Sequence, residues 1–194
     1  MSSEILETRD RILETTVRLL EEHGGRGVRM GDIAKETGIS RQAVYLHFAS
    51  RADLLIAAVL YKGDQLDVEG RLAPTRAARS GVERLALYIN MWGNFIPEIY
   101  GVAKALMVAQ DTDDAAAAAW KDRMVAMRDG CRAAIEALEA DGDLAPGWTR
   151  DTAIDALWTM LLVPNWENLT GECGWTRDQY IERMTMMASR MFVA

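Results

Sequence analysis

Five basic side chains, Arg26, Arg29, Lys35, Arg41 and Arg51, fall between residues 24 and 51 against only Asp32 and Glu36. This gives a local net charge of +3 in a chain of 194 residues whose formal net charge is −7. A small cationic island on an acidic protein points to a localised anion contact, because a local patch attracts phosphate while the remainder repels it. A solvated helix face is the plainer reading of the same charges. Inside the island, residues 30 to 49 read MGDIAKETGISRQAVYLHFA. Ala34 is small where a second helix must approach, and Gly38 can take left-handed backbone. Val44, with Ile33, Ile39 and Phe48, fills the space between two helices that cross steeply over a short turn. Ser40 is placed to cap the second of these helices, and Ser50-Arg51-Ala52-Asp53 opens the next one before Leu54 and Leu55. The pattern predicts a helix-turn-helix; a plain helical hairpin explains the spacing but not the coincident charge.

On these residues the chain resembles the TetR-type transcriptional regulators. The resemblance rests on Arg11-Ile12-Leu13 through Leu19-Leu20 to Gly24, on Asp32-Ile33-Ala34, on Gly38-Ile39-Ser40 with Val44-Tyr45-Leu46-His47-Phe48, and on Ser50-Arg51-Ala52-Asp53-Leu54-Leu55. It covers about the first 60 residues closely and the remainder as architecture. Arg29, Gly31 and Leu46 depart from the family's usual residue types. The resemblance implies a DNA-binding regulator, most simply a repressor, acting on a pseudo-palindromic double-stranded operator. If Val44 and Phe48 face the core, the third helix shows Arg41, Gln42, Ala43, Tyr45 and His47 outward. Arginine pairs with guanine and glutamine with adenine in the major groove, and the Ala43 methyl can lie against a thymine methyl. Tyr45, Arg29 and Arg51 suit phosphate. Tyr45 can alternatively support the turn, and His47 either contacts phosphate or bonds within the domain. Ser40 completes the DNA-facing set. A helix-turn-helix that grips a protein is the competing reading, which the overall acidity permits.

The elements that must position these residues read as helical throughout, so an all-α chain is expected. Ile12, Leu13, Thr16, Leu19 and Leu20 recur at helical spacing and stop at Gly24-Gly25. Further stops are expected at Gly38, at Ala73-Pro74, and across Gly142 to Gly147 and Gly171 to Gly174. The expected division is a helix-turn-helix domain over 1–50 and an antiparallel helical ligand-binding and dimerisation domain over 51–194, with one helix from Ala52 to Gly70 shared between them. Later helices are expected over 75–96, 97–111, 113–141, 150–170 and 176–192. All six tryptophans and nine of eleven methionines lie beyond residue 90.

Leu85 to Trp92 is apolar nearly all round and is expected to be buried on every side. Met and Trp stripes at helical spacing make either a plain core or a permissive pocket. The pocket reading assigns Tyr88, Met91, Trp92 and Phe95 from one helix, Trp120, Met124 and Met127 from another, and Trp158, Leu162, Asn165 and Trp166 from a third. Its ligand would be a small apolar or aromatic effector. Pro164, inside that third helix, should free the Met160 carbonyl and bend the helix beside Asn165. The apolar stretch from Ala153 to Val163 and the last helix, with Tyr180, Ile181, Met184, Met187, Ala188, Met191 and Phe192, would pair about a two-fold axis as a homodimer.

Composition narrows the other classes. Hydrophobic residues at 49% and charged residues at 26% suit a globular protein. The longest apolar run, Leu54 to Tyr61, is too short to cross a bilayer, and Met1 to Glu4 lacks the start of a signal peptide, so a cytoplasmic protein without membrane contact is expected. Cys131 and Cys173 form no framework, and His23 and His47 lie far from both in sequence, so no metal is expected. With no glycine-rich phosphate loop, no Gly-x-Ser-x-Gly turn and no histidine in the second domain, neither catalysis nor a cofactor is expected.

Overall fold

The computed structural model describes residues 2–194, with side chains from residue 5 onward, so the sequence reading of Met1 to Glu4 lies outside the described side chains. The fold is all-α: α1 Ser2–Glu22, α2 Met30–Thr37, α3 Arg41–His47, α4 Arg51–Gln65, α5 Val68–Arg76, α6 Gly81–Ala109, α7 Asp114–Asp141, α8 Arg150–Met160, α9 Val163–Glu167 and α10 Arg177–Phe192. A π-helical turn, Asn168–Glu172, follows α9. Among the described residues the sole β-type pairing noted is an isolated antiparallel bridge between Leu144 and Val193. The chain forms two compact units. The first runs to Leu66 and takes in Glu98–Asp122; the second comprises Asp67–Pro97 and Arg123–Ala194. Helices α6 and α7 thus have residues in both.

In the first unit the apolar stripe of α1 supplies the centre, with Ile12 and Leu20 fully buried beside Ile33, Val44, Phe48, Leu54 and Ala58. Thr16, also fully buried, donates its hydroxyl to the Ile12 carbonyl at 2.7 Å, which satisfies the one polar atom on that face. Helix α1 ends where expected, with Gly24 and Gly25 at φ of 56° and 76°. Gly25 and Gly101 are there for a second reason. A Cβ on Gly101 would lie 2.6 Å from the Leu20 carbonyl oxygen, so only glycine lets α6 approach the end of α1 this closely. Lys62 of α4 pairs with Glu21 of α1 at 2.6 Å, and Arg18 holds both Glu22 and Glu36, tying α2 to α1.

Several helix boundaries differ from the sequence expectation. The expected helix from Ala52 to Gly70 is two: α4 stops at Gln65, Asp67 sits at φ 45° and its carboxylate accepts from the Gly70 amide at 3.1 Å. The expected stop at Ala73-Pro74 lies inside α5. The expected break at residue 97 is absent as well, for α6 runs through Pro97 for 29 residues. Proline removes one hydrogen bond, here to the Gly93 carbonyl, but burial of Ile89, Trp92, Ile96, Val102 and Leu106 along the same helix outweighs that loss. Conversely the expected helix over 150–170 is broken. Helix α8 ends at Met160, Leu162 takes extended ψ of 145°, and Pro164 opens α9. Proline therefore begins a helix here rather than bending one, the position where its missing N–H costs nothing.

The second unit packs α6, α7, α8 and α10 through one face each. Leu85, Tyr88, Ile89 and Trp92 are buried, but Asn90 is exposed and Ala86, Leu87 and Met91 are half-buried, so this stretch is not enclosed on every side as its composition suggested. Helix spacing along α7 turns Met127, Cys131, Ala134, Ile135 and Leu138 inward, with Trp120 and Met124 half-buried. Caps are local: the Thr149 hydroxyl accepts from Thr152 and the Thr176 hydroxyl from Gln179. The chain end is fastened by the Ala145 amide on the Phe192 carbonyl, 2.9 Å, and by Trp148 edge-on to Phe192.

Two glycine substitutions should separate close packing from backbone entropy. Gly101→Ala forces the Leu20 backbone aside and is expected to lose ~1 to 3 kcal/mol. Gly63→Ala, where a Cβ meets nothing within 4 Å, is expected to gain ~0.4 to 1 kcal/mol. Urea denaturation of the two variants checks both signs.

Candidate nucleic-acid interface

The turn between α2 and α3 is built by three residues. Gly38 ends α2 at φ 74°, ψ 26°, and its amide reaches back toward the last turn of α2. The Ile39 amide donates to the Ala34 carbonyl at 3.0 Å. The Ser40 hydroxyl then accepts from the Ala43 amide at 3.1 Å, satisfying one of the free donors at the start of α3. Ala34 and Ile33 are buried beneath the turn, as are Val44 and Phe48 from α3 and its end. Arg9 of α1 lies over the Phe48 ring, 5.0 Å from its centroid. From there the Ser50 hydroxyl accepts from the Asp53 amide at 3.0 Å and α4 departs at 65° to α3.

This leaves one face of α3 outward. Arg41, Gln42, Tyr45 and Leu46 are exposed, whereas Ala43 and His47 are half-buried on the flank. The expected outward arc thus rotates slightly: it loses part of Ala43 and His47 and gains Leu46, which the sequence reading did not place in it. Leu46 is 84% exposed. The spacing could have revealed it, since Leu46 lies one turn beyond Gln42; its apolar character argued the other way. Tyr45 is 39% exposed, and the Arg41 guanidinium sits over its ring with a 3.4 Å bond to its hydroxyl. An exposed cation–π contact of this kind is worth ~0.5 to 1 kcal/mol.

The two remaining basic candidates are Arg29, just before α2, and Arg51, the first residue of α4. Arg51 donates from Nε to the Val28 carbonyl at 3.3 Å, in the segment that leads to Arg29, the residue that precedes α2. Arg29 caps nothing with its own side chain; instead Asp32 reaches back and accepts from the Arg29 amide at 2.9 Å. The carboxylate of Asp32 thus already meets a free amide at this helix start, and the Arg29 side chain stays exposed.

The pocket candidates of the second unit come together only in part. Tyr88 donates to the Met127 carbonyl at 2.8 Å and Trp92 donates to the Leu161 carbonyl at 2.9 Å, so both polar handles are used inside the core. Phe95 stands 6.1 Å from Trp92. Trp158 lies under the Arg128 guanidinium, and Arg128 is paired with Asp155. The Asn165 amide, expected to orient a ligand, donates to the Thr159 carbonyl at 2.5 Å. Met91, Met124 and Leu162 are half-buried. Trp120 packs against the core of the first unit instead. A groove of about 410 Å³ does open in the second unit, lined by Pro97, Trp166, Thr170, Trp175, Thr176, Arg177 and Asp178; of the pocket candidates it includes Trp166. Burial pushes the Cys131 thiol up to about 12 and raises the Tyr88 hydroxyl well above its ordinary range, so both stay protonated at neutral pH.

Comparison with known proteins bears on the first unit most directly. Residues 12–58 match the model of the family described as bacterial regulatory proteins, tetR family. The chain is 42% identical over 55 residues to the HTH-type transcriptional regulator YerO of Bacillus subtilis, which is 28% of this chain and 19% of YerO. It is 41% identical over 51 residues to the HTH-type transcriptional regulator AcrR of Shigella flexneri, 26% of this chain and 24% of AcrR. The matched segment thus spans less than a quarter of either relative. Over the whole chain the fold is that of a Saccharomonospora viridis protein solved in complex with choline, with a TM-score of 0.81 at 22% identity, covering 97% of this chain and 98% of that one. No single helix among the described residues is long and apolar enough to cross a membrane. Residues 12–58, with the capped α2–α3 turn at their centre, are thus the segment in which this chain is similar to the tetR family of bacterial regulatory proteins.

Proposed function

We propose that the protein is a dimeric, cytoplasmic, ligand-responsive transcriptional repressor that binds a pseudo-palindromic DNA operator and leaves it when a small, largely apolar or aromatic molecule binds. The observation that carries this reading is the outward face of α3, where Arg41, Gln42 and Tyr45 stand exposed on a helix whose other face is buried. Arg29, before α2, and Arg51, which opens α4 and donates to the Val28 carbonyl, add the other exposed cations of this reading. In this reading Arg41 and Gln42 address base edges, Ala43 and Ser40 lie close to the groove, and Tyr45, His47, Arg29 and Arg51 hold phosphates. Residues 1–50 carry DNA binding and 51–194 carry ligand and partner, a functional division distinct from the packing units.

Two copies are needed to present two such faces to successive major grooves. Most of the apolar residues expected to pair between copies, Ala153, Ile154, Leu157, Tyr180, Met184, Ala188 and Phe192, are buried within the chain itself. What remains for a partner is the half-buried Trp158, Met160, Ile181 and Met187 with the exposed Met191. The effector reading is supported by the Trp166 groove and by the choline held by the structurally similar protein. Release requires that the effector favour the arrangement that no longer fits the operator, since equal binding to both would shift nothing.

A gel shift against DNA flanking the protein's own gene, at several salt concentrations, should show one sequence bound tightly and with a steep salt dependence. Gln42→Ala is expected to cost ~1 to 3 kcal/mol and to relax preference at one base position. Arg51→Ala should weaken all sequences alike and lower the salt slope by about one. Unchanged binding in both variants would reject the assigned face. Sedimentation should find a dimer at micromolar concentration. Trp fluorescence should quench on titration with hydrophobic or aromatic compounds that release the DNA, and lose that response in Trp166→Ala.

A further inference from the structure

Leu46 is the most exposed of the large apolar side chains described, at 84%, ahead of Leu6 at 59% and Ile5 at 55%. A lone exposed leucine is ordinary on a protein surface; its placement is what gives this one meaning. It lies on α3 one helical turn beyond Gln42, so the two side chains are neighbours on the same outward face. Burial of α3 is supplied by Val44 and Phe48, at 0% and 3% exposure, and Leu46 adds almost nothing to it. The surrounding exposed side chains are Arg41, Gln42 and Tyr45, with Arg29 and Arg51 nearby in the cationic island. Such a setting favours a polyanion over an apolar protein groove, which would have to desolvate those guanidinium groups. Within the major groove the one apolar feature on a base edge is the C5 methyl group of a pyrimidine.

We propose that Leu46 reads the C5 methyl group of a thymine in the operator, beside the base addressed by Gln42. This rests on the DNA-binding reading above and adds a specificity-determining residue to it. Removing the methyl while keeping every hydrogen-bonding group isolates the contact, because uracil differs from thymine by that group alone. Burying one methyl-sized group changes affinity about four-fold.

The test begins with an operator fragment selected from random duplexes by the full-length protein. Each thymine is then replaced singly by deoxyuridine, and binding of the wild type and of Leu46→Ala is measured by fluorescence anisotropy. The expected result is a loss of about three- to five-fold for the wild type at one thymine per half-site, and no loss at that thymine for Leu46→Ala. The same variant should keep its helix content and melting temperature, since the side chain is exposed; a lowered melting temperature would mean that Leu46 is packed and would overturn the proposal. Wild type insensitive to uracil at every position, or Leu46→Ala with the wild-type uracil profile, would also overturn it. Leu46→Ala that loses affinity equally for all duplexes would make the contact non-specific and likewise reject it. A wild type that selects no sequence would instead reject the DNA-binding reading itself, so the two failures are distinguishable.

Discussion

A helix of seven residues has no stability of its own in water, because the cost of fixing its first turn is repaid by only a few hydrogen bonds. Helix α3 therefore exists because Val44 and Phe48 are buried against α1, α2 and α4. That constraint fixes which way α3 can face. Rotating it to bury Gln42 or Tyr45 would expose Val44 and strand polar groups in an apolar core. Once Val44 points inward, Arg41, Gln42, Tyr45 and Leu46 must point outward, and their chemistry is available to a partner. The Ser40 cap and the left-handed Gly38 set where α3 begins, and the Ser50 cap starts the next helix three residues after it ends.

The same economy governs the charges. Where cations serve the fold they meet carboxylates across helices, as Lys62 does with Glu21 and Arg18 with Glu36. At the outward face they are held by softer contacts: Arg41 by the Tyr45 ring, Arg51 by the Val28 carbonyl. A guanidinium held by a ring or a carbonyl keeps its full positive charge, and several of its N–H groups remain to meet an anion. A strongly paired arginine would have to give up a carboxylate first.

In the second unit Tyr88 and Trp92, two of the aromatic side chains that looked like pocket walls, spend their polar atoms inside the core. The break after α8 takes away the regular helical donors of the last carbonyl groups. Trp92 serves Leu161, in place of a bond that an uninterrupted helix would have made internally, and Asn165 joins the Leu162 amide on Thr159. A buried indole spent in this way cannot also orient a ligand. The open surface lies further on, around the π-helical turn, where Trp166 and Trp175 border a groove beside the start of α10.

Local chemistry was legible in the residues alone. The Gly38 turn, the Ser40 and Ser50 caps, the stop at Gly24 and the identity of the helix-turn-helix all depend on side chains within a turn or two of one another. Each signal is therefore written beside the element it controls. Helix continuity was not legible in the same way. Proline at 74 and 97 lies inside a helix and proline at 164 begins one, and the difference is made by what packs alongside, Ile96 and Val102 in one case and the indole of Trp92 on a freed carbonyl in the other. The exposure of Leu46 and the separation of Trp120 from the other tryptophans follow from the same cause. A residue's type constrains its neighbours in sequence, but burial is decided by elements tens of residues away, so only the assembled tertiary structure determines which apolar side chains form the core and which are left on the surface.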